Sequence, residues 1–466
     1  MGYNSAFPPG RSVSAAGELE SMSEDSQGPQ ASTSVSVQDA PAAAEGQQPA
    51  GHPEGPSPGF GEGQPRPHRR RRRRRRRGGG GGRPPGAGGS PDRTDDLSAA
   101  GPERPVEGVL LLPARENAPG VLVSARNNYL SSPKDPLVPR ELVTREGLEA
   151  GALIAGFAAD GNRPVVKRVE TVQGLTPEAF RQRPTFNELV SIDPHDHLML
   201  ETEPEEMCGR VVDLLAPIGR GQRCLIVAPP KAGKTTLLKR MAHAVSVNDP
   251  DVHVIVLLID ERPEEITDFR RSVRGDVIAS SADLSAENHV AVAEIVAERA
   301  RRLVECGRHA IIFLDSITRM ARAYNHMQKG GGKIMSGGID ARTMEKPRRF
   351  FGAARNAEGG GSLTIVATAL VDTGSRMDEI IFQEFKGTGN TELVLDRELF
   401  NRRIFPCINI PQSGTRKEEK LYAPDDLPKI VKLRRALAAV DKIQAMELVL
   451  GRLSKFRTNR EFLKSF

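Results

Sequence analysis

Ala228-Pro-Pro-Lys-Ala-Gly-Lys-Thr235 has the spacing of a phosphate-binding loop, GxxxxGK[ST], with Ala228 in place of the first glycine. The chemistry this predicts is binding and hydrolysis of ATP. Main-chain N–H groups, with Ala232, Gly233, Lys234, Thr235 and Thr236 at the helical end, are set to wrap phosphate oxygens, and the start of a helix adds a favourable dipole. Lys234 would reach the β- and γ-phosphates, the Thr235 hydroxyl would bind Mg2+, and Lys231 adds a second positive charge. Two acidic positions downstream complete the set. Asp315 ends an apolar run and is expected to hold magnesium through its water shell. Asp260, Glu261 and Arg262 follow another apolar run, and Glu261 is the candidate for polarising the attacking water. A solvated charged turn is the alternative there.

These residues need a frame. Cys224–Val227 is a strand candidate, followed by a helix from Thr235. Val254–Ile259 is wholly apolar, as a buried parallel strand should be. Ile311–Leu314 and Leu363–Ala367 are further strands, and Glu287–Cys306 is an amphipathic helix with Val290, Ala293, Val296, Ala300 and Leu303 near one face. The alternation predicts a parallel sheet covered by helices on both sides over 211–466. Upstream, short apolar stretches at Gly108–Leu112, Gly120–Val123, Leu137–Val138, Ala152–Phe157 and Val165–Val169 are separated by turn residues. They predict a small antiparallel barrel over 105–175, joined to the sheet by a proline-punctuated connector over 176–210.

Composition bounds the rest. The chain has 466 residues and a formal net charge of +6, unevenly placed. Residues 1–65 hold one basic and eight acidic residues, whereas 66–83 hold eleven arginines and no acid. Residues 1–104 are poor in large apolar side chains and are expected to be disordered, because they cannot bury enough surface to offset ordering entropy. Within them, the nine arginines Arg69–Arg77 are followed by five glycines. Such segregation of charge points to a tail that meets an anion, with nucleic acid the candidate; a low-complexity insertion is the alternative. Deleting a nucleic-acid tether would weaken binding and flatten its salt dependence. Four scattered cysteines without a CxxC pair argue against a disulfide framework or a zinc site. No run is long enough to cross a bilayer, so a cytoplasmic, membrane-free protein is expected. Gly330-Gly331-Gly332-Lys333 and Gly387-Thr388-Gly389 are loop candidates for contact with a polymer.

With these residues assembled, the chain resembles the bacterial Rho family of transcription termination factors over roughly 105–466. The strings Pro217–Gln222, Ile226–Thr235, Leu257–Glu265, Leu314–Arg319, Arg349–Asn356, Glu384–Asn390 and Ser413–Glu418 carry the likeness, in order. The resemblance implies a RecA-like motor of α/β class behind an OB-fold, cold-shock-like barrel. It implies a homohexameric ring that uses ATP to move 5′→3′ along nascent RNA toward RNA polymerase and its elongation factors. By the same likeness Glu261 is the catalytic carboxylate with Arg262 beside it. Arg416 is the arginine finger for the neighbouring subunit, Arg403 a second interfacial arginine, and Phe405 the residue that packs on adenine. Lys333 and Arg376 face RNA inside the ring; the family usually has lysine at the latter position. The competing reading is a rotary or other RecA-like ATPase subunit with no RNA function.

The barrel departs from the family. Its RNA-facing strand usually reads Gly-Phe-Gly-Phe-Leu-Arg, and the matching stretch here is Ala118-Pro-Gly-Val-Leu-Val123. Stacking contributes roughly 1–3 kcal/mol per base, so loss of both aromatics predicts weaker or altered binding of single-stranded RNA. The helical segment that often precedes the barrel is not evident.

Overall fold

The computed structural model describes residues 101–115, 117–327 and 342–466. The arginine tract, the rest of 1–100 and the glycine loop with Lys333 lie outside the described residues.

Five strands close into a barrel: β1 (Glu103–Leu111), β2 (Gly120–Val123), β3 (Leu137–Val138), β4 (Leu153–Ala159) and β5 (Val165–Val172). Their order is β1-β2-β3-β5-β4, with β4 returning antiparallel to β1. The spaced apolar runs predicted a small antiparallel barrel and the family resemblance an OB-fold; the closed five-stranded barrel fits both, except that β3 meets β5 in parallel. β1 begins at Glu103, inside the stretch expected to be tail. Period-two alternation turns Leu110, Leu122, Ile154 and Val166 into the barrel, where they pack with Phe180 of the short helix Pro177–Gln182.

The second body is a parallel sheet. Its strands are β6 (Ser191–Ile192), β7 (Arg223–Ala228), β8 (Val252–Glu261), β9 (Asp276–Ser281), β10 (His309–Asp315), β11 (Arg355–Ala357), β12 (Ser362–Leu370), β13 (Thr391–Val394) and β14 (Gly414–Thr415). The main order is β14-β13-β7-β12-β10-β8-β9, with β11 and β6 attached antiparallel beside β12. The four apolar runs singled out in the sequence became β7, β8, β10 and β12. Strands buried on both faces must be apolar throughout, and that pattern is readable.

Each face of the sheet has its own core. One joins Leu237, Met241 and Val245 of the helix Lys234–Asn248 to Phe269, Met446 and Val449. The other joins Val292, Val296, Ala300 and Leu303 of the helix Ala286–Glu305 to Phe351 and Phe385. Ser285 caps the long helix, its hydroxyl accepting from Asn288 N–H.

The barrel is seated on that long helix. Gly151 has φ +81, and a Cβ there would stand 2.3 Å from the Glu298 main-chain carbon, so glycine serves both the turn and the close approach. Asn128 Oδ1 accepts from Arg270 Nη2 and from Ala279 N–H, both at 2.9 Å. A buried ionic cluster lies alongside. Glu305 meets Arg183 at 2.7 Å and Arg302 at 3.0 Å, and both arginines also pair with Glu149 of the barrel.

Candidate active site

The loop between β7 and the helix Lys234–Asn248 is built by two unusual backbone turns. Lys231 has φ +63 and Gly233 has φ +85. A Cβ at Gly233 would meet nothing within 4 Å, so the need for glycine there is conformational, not steric. Ala228 explains its own departure from the motif. It is the last residue of β7 and is absent from the positive-φ residues, so no glycine is needed. Ala232 is buried, whereas Lys231 and Thr236 are exposed on the loop's outer side.

Behind the loop stands Asp315, the fully buried end of β10. Lys234 Nζ donates to Asp315 Oδ1 at 2.6 Å and to Oδ2 at 2.7 Å. Thr235 Oγ1 donates to Oδ2 at 3.1 Å, and Thr368 Oγ1, on the neighbouring β12, donates to Oδ1 at 2.8 Å. A hydroxyl and a carboxylate this close make a pair of hard oxygen donors that suits a small divalent cation. The Lys234 ammonium now satisfies that negative charge, so the residues present fit such an ion.

Glu261 reaches the same crevice because β8 is bulged. Ile259 pairs with Ser280 and Glu261 with Ser281, which leaves Asp260 (φ +56) as the extra residue. A bulge changes the alternation of faces and re-aims the side chain that follows. Glu261 is 2% exposed, and its carboxylate lies 4.0 Å from Lys234 Nζ. Burial pushes its carboxyl up to about 7; Lys234 opposes that shift, Asp315 adds to it, and Arg319 opposes it. Arg319, on the helix Ile317–Met327, places Nη1 2.6 Å from Glu261 Oε2 as an ion pair without aligned hydrogen-bond geometry. Arg319 and Thr368 were not singled out from sequence. The available signal was an arginine one helical turn beyond Asp315, where a solvated charge is the ordinary outcome.

The other expected site residues are spread around this centre. Arg262, exposed, begins the helix Pro263–Ser272 beside Glu261. Phe405 and Arg403 lie just before a chain segment whose Ile408 bridges Leu395, itself bonded to Val227. That is the same end of the sheet as the phosphate loop. Phe405 is 48% exposed and packs edge-on against Phe400 at 5.8 Å, and Arg403 also stands over the Phe400 ring. Arg376 is exposed at the start of the helix Arg376–Lys386, just past the end of β12.

Arg416 is elsewhere. It follows β14, which runs antiparallel to β13, and its N–H donates to Asn390 O at 2.9 Å. Asn390 Oδ1 accepts from Arg223 N–H at 2.7 Å, at the opposite end of β7 from the loop. Six residues at about 3.3 Å each separate those ends by roughly 17 Å. Arg416 therefore does not reach the phosphate loop of its own chain.

The model of the ATP synthase alpha/beta family, nucleotide-binding domain, matches residues 209–415. Over 344 residues the chain is 52% identical to the transcription termination factor Rho of Streptomyces lividans, covering 72% of this chain and 49% of that one. Over 354 residues it is 49% identical to Rho of Aquifex aeolicus, covering 74% and 81%. Over 352 residues it is 47% identical to Rho of Karelsulcia muelleri, covering 74% and 93%. This chain belongs to the Rho family. It spans about half the length of the Streptomyces relative. A solved ATPase of a bacterial type III secretion system is 23% identical, with a TM-score of 0.49, over 59% of this chain and 78% of that one. Within the Rho family frame, the fold is a RecA-like nucleotide-binding domain behind a five-stranded barrel. No helix among the described residues is long and apolar enough to cross a membrane.

Proposed function

We propose that this chain is an ATP-driven RNA translocase that ends transcription by moving 5′→3′ along the nascent transcript, as a cytoplasmic homohexamer acting on RNA polymerase and its elongation factors. The observation that carries this reading is the half-built site: Lys234, Asp315 and Glu261 converge on one loop, while Arg416 stands at the far end of the sheet. A site finished by a neighbour's arginine makes hydrolysis depend on ring assembly, and a finger of this kind contributes a rate factor on the order of 10³–10⁵.

In this reading, Lys231, Lys234 and the main-chain N–H groups from Ala232 to Thr236 hold the phosphates. Thr235 and Asp315 would hold Mg2+, which would supply positive charge to offset the charge on the phosphates. As ATP enters, Lys234 exchanges Asp315 for phosphate oxygens. Glu261 orients and deprotonates the attacking water, with Arg262 beside it and Arg319 holding the carboxylate in place. Phe405 covers the adenine. Arg403 and Arg416 act across the subunit boundary, and Lys333 and Arg376 grip RNA in the ring. The barrel, without aromatic residues on β2, catches RNA weakly; Val121 is half-buried against the core that contains Val123 and Tyr129.

ATP turnover with and without poly(C) and other homopolymers tests the proposal. Turnover that rises with RNA is the expected result. Turnover indifferent to RNA supports a rotary-type subunit instead, and no turnover under either condition overturns both.

A further inference from the structure

At the end of the sheet opposite the phosphate loop lies a second cavity, of about 660 Å³, lined in part by Asp193, His195, Arg223, Arg355, Asn390 and Lys420. Arg223 begins β7 and Arg355 begins β11, both half-buried. Among the described residues their guanidinium groups bond only to main-chain carbonyls. Arg223 donates Nε to Thr388 O at 2.9 Å and Nη1 to Ala354 O at 3.0 Å. Arg355 donates Nε to Ala353 O and Nη1 to Phe186 O, both at 3.2 Å, and lies 4.2 Å over the Phe186 ring. Among the described residues the second terminal nitrogen of each makes no hydrogen bond.

Among the described residues no carboxylate pairs with either group. Burial holds both guanidiniums below their ordinary range, and the charged neighbours that add to this are arginines: Arg416 for Arg223, and Arg301 and Arg223 for Arg355. The one acid on the cavity wall, Asp193, is engaged by Lys417 at 2.9 Å and Lys420 at 2.7 Å, which hold its carboxyl down at about 2. Three cations on the wall, Arg223, Arg355 and Lys420, thus share one carboxylate, which Lys417 engages as well. Partly desolvated like charges without a counter-ion are costly, and paired guanidiniums with free N–H groups match phosphoryl oxygens in geometry and charge.

We propose that this cavity is an anion site for a phosphoryl group, separate from the ATP loop and read by Arg223 and Arg355. The ligand class is a di- or polyphosphate anion, whether a free phosphorylated small molecule or the backbone of RNA. Arg223 links the cavity to the finger strand, because Asn390 bonds both Arg223 and Arg416. Occupancy would relieve the repulsion that Arg416 feels from Arg223.

The test uses the full chain carrying Lys234→Ala, which disables the phosphate loop, with pyrophosphate titrated at low salt by calorimetry. The expected result is saturable binding that Arg355→Gln or Arg223→Gln weakens at least ten-fold. Arg355→Lys should weaken it less, and Lys239→Gln, a basic surface position elsewhere, should leave it unchanged. Thermal melting of each variant separates loss of binding from loss of fold, and the Arg355→Lys and Arg355→Gln pair decides if one variant does not fold. A short RNA that displaces pyrophosphate identifies the backbone as the phosphoryl source, and failure to displace identifies a small molecule. Absence of binding, equal binding in the Gln variants and their parent, or binding lost on ring assembly because a neighbouring copy's acid fills the cavity, would overturn the proposal.

Discussion

Arg319 Nη1 stands 2.6 Å from Glu261 Oε2, so a buried carboxylate of the site is steered by an arginine of its own chain. The two come from different strand ends, β8 and the helix after β10. The bulge at Asp260 turns Glu261 toward that helix. The general-base role proposed for Glu261 requires it to be ionised, and burial pushes its carboxyl up to about 7.

ATP turnover should therefore rise with pH along a limb near 7. Burial raises this group and Arg319 lowers it, so Arg319→Ala should move the limb to higher pH as well as reduce turnover at neutral pH. The same shift affects stability. A group raised on folding contributes stability that is complete below its ordinary value of 4.5 and is lost as pH climbs through about 7. A pH profile of kcat for the parent, Arg319→Ala and Glu261→Gln checks this. Glu261→Gln should show no limb, with turnover down by roughly 10²–10⁴-fold.

Lys234 Nζ holds Asp315 at 2.6 and 2.7 Å. Lys234→Ala should abolish nucleotide binding and also destabilise the nucleotide-free chain, since a fully buried carboxylate loses its cation. Removing one partner of a buried pair costs about 3 kcal/mol. Titration with a fluorescent ATP analogue and denaturant unfolding read the two effects. A variant as stable as its parent would show that Asp315 does not need the ammonium.

The pattern of what was legible follows from the physics of each element. β7, β8, β10 and β12 were readable because strands buried on both faces must be apolar. The phosphate loop was readable because its spacing and its strand–helix context coincide. β6 and β11 are two and three residues long and carry no periodicity; their pairing depends on where β12 already lies. Arg319 could not be told from an ordinary helix-surface arginine, since its partner is 58 residues away. Glu261 was read either as a base or as a solvated turn; its burial comes from a bulge at Asp260 that no pattern announces.

The seam between barrel and sheet gives a further prediction. Glu305 is fully buried in its side chain, pairs with Arg183 and Arg302, and accepts Phe186 N–H at 2.8 Å. Glu305→Ala leaves two largely buried arginines with only partly exposed acids as partners, Glu149 for Arg183 and Glu149 with Glu298 for Arg302, and should cost about 3–5 kcal/mol. Glu149→Ala, nearer solvent, should cost less. Denaturant midpoints at constant slope measure both, and equal costs would remove the buried pair as the source.

Complementation between subunits gives the strictest check on where Arg416 acts. It stands beside the Arg223 end of β7, roughly 17 Å from the loop of its own chain. Arg416→Ala alone should lower turnover by about 10³-fold or more, and Lys234→Ala alone should abolish it. When the two inactive variants are mixed and reassembled, some interfaces pair an intact loop from one chain with an intact Arg416 from the next. Turnover should then return in part, rising and falling with the mixing ratio. An arginine acting within its own chain, or only through folding, would give no recovery at any ratio. RNA-stimulated ATP hydrolysis by the mixtures is the measurement, with chromatographic evidence that mixed rings form.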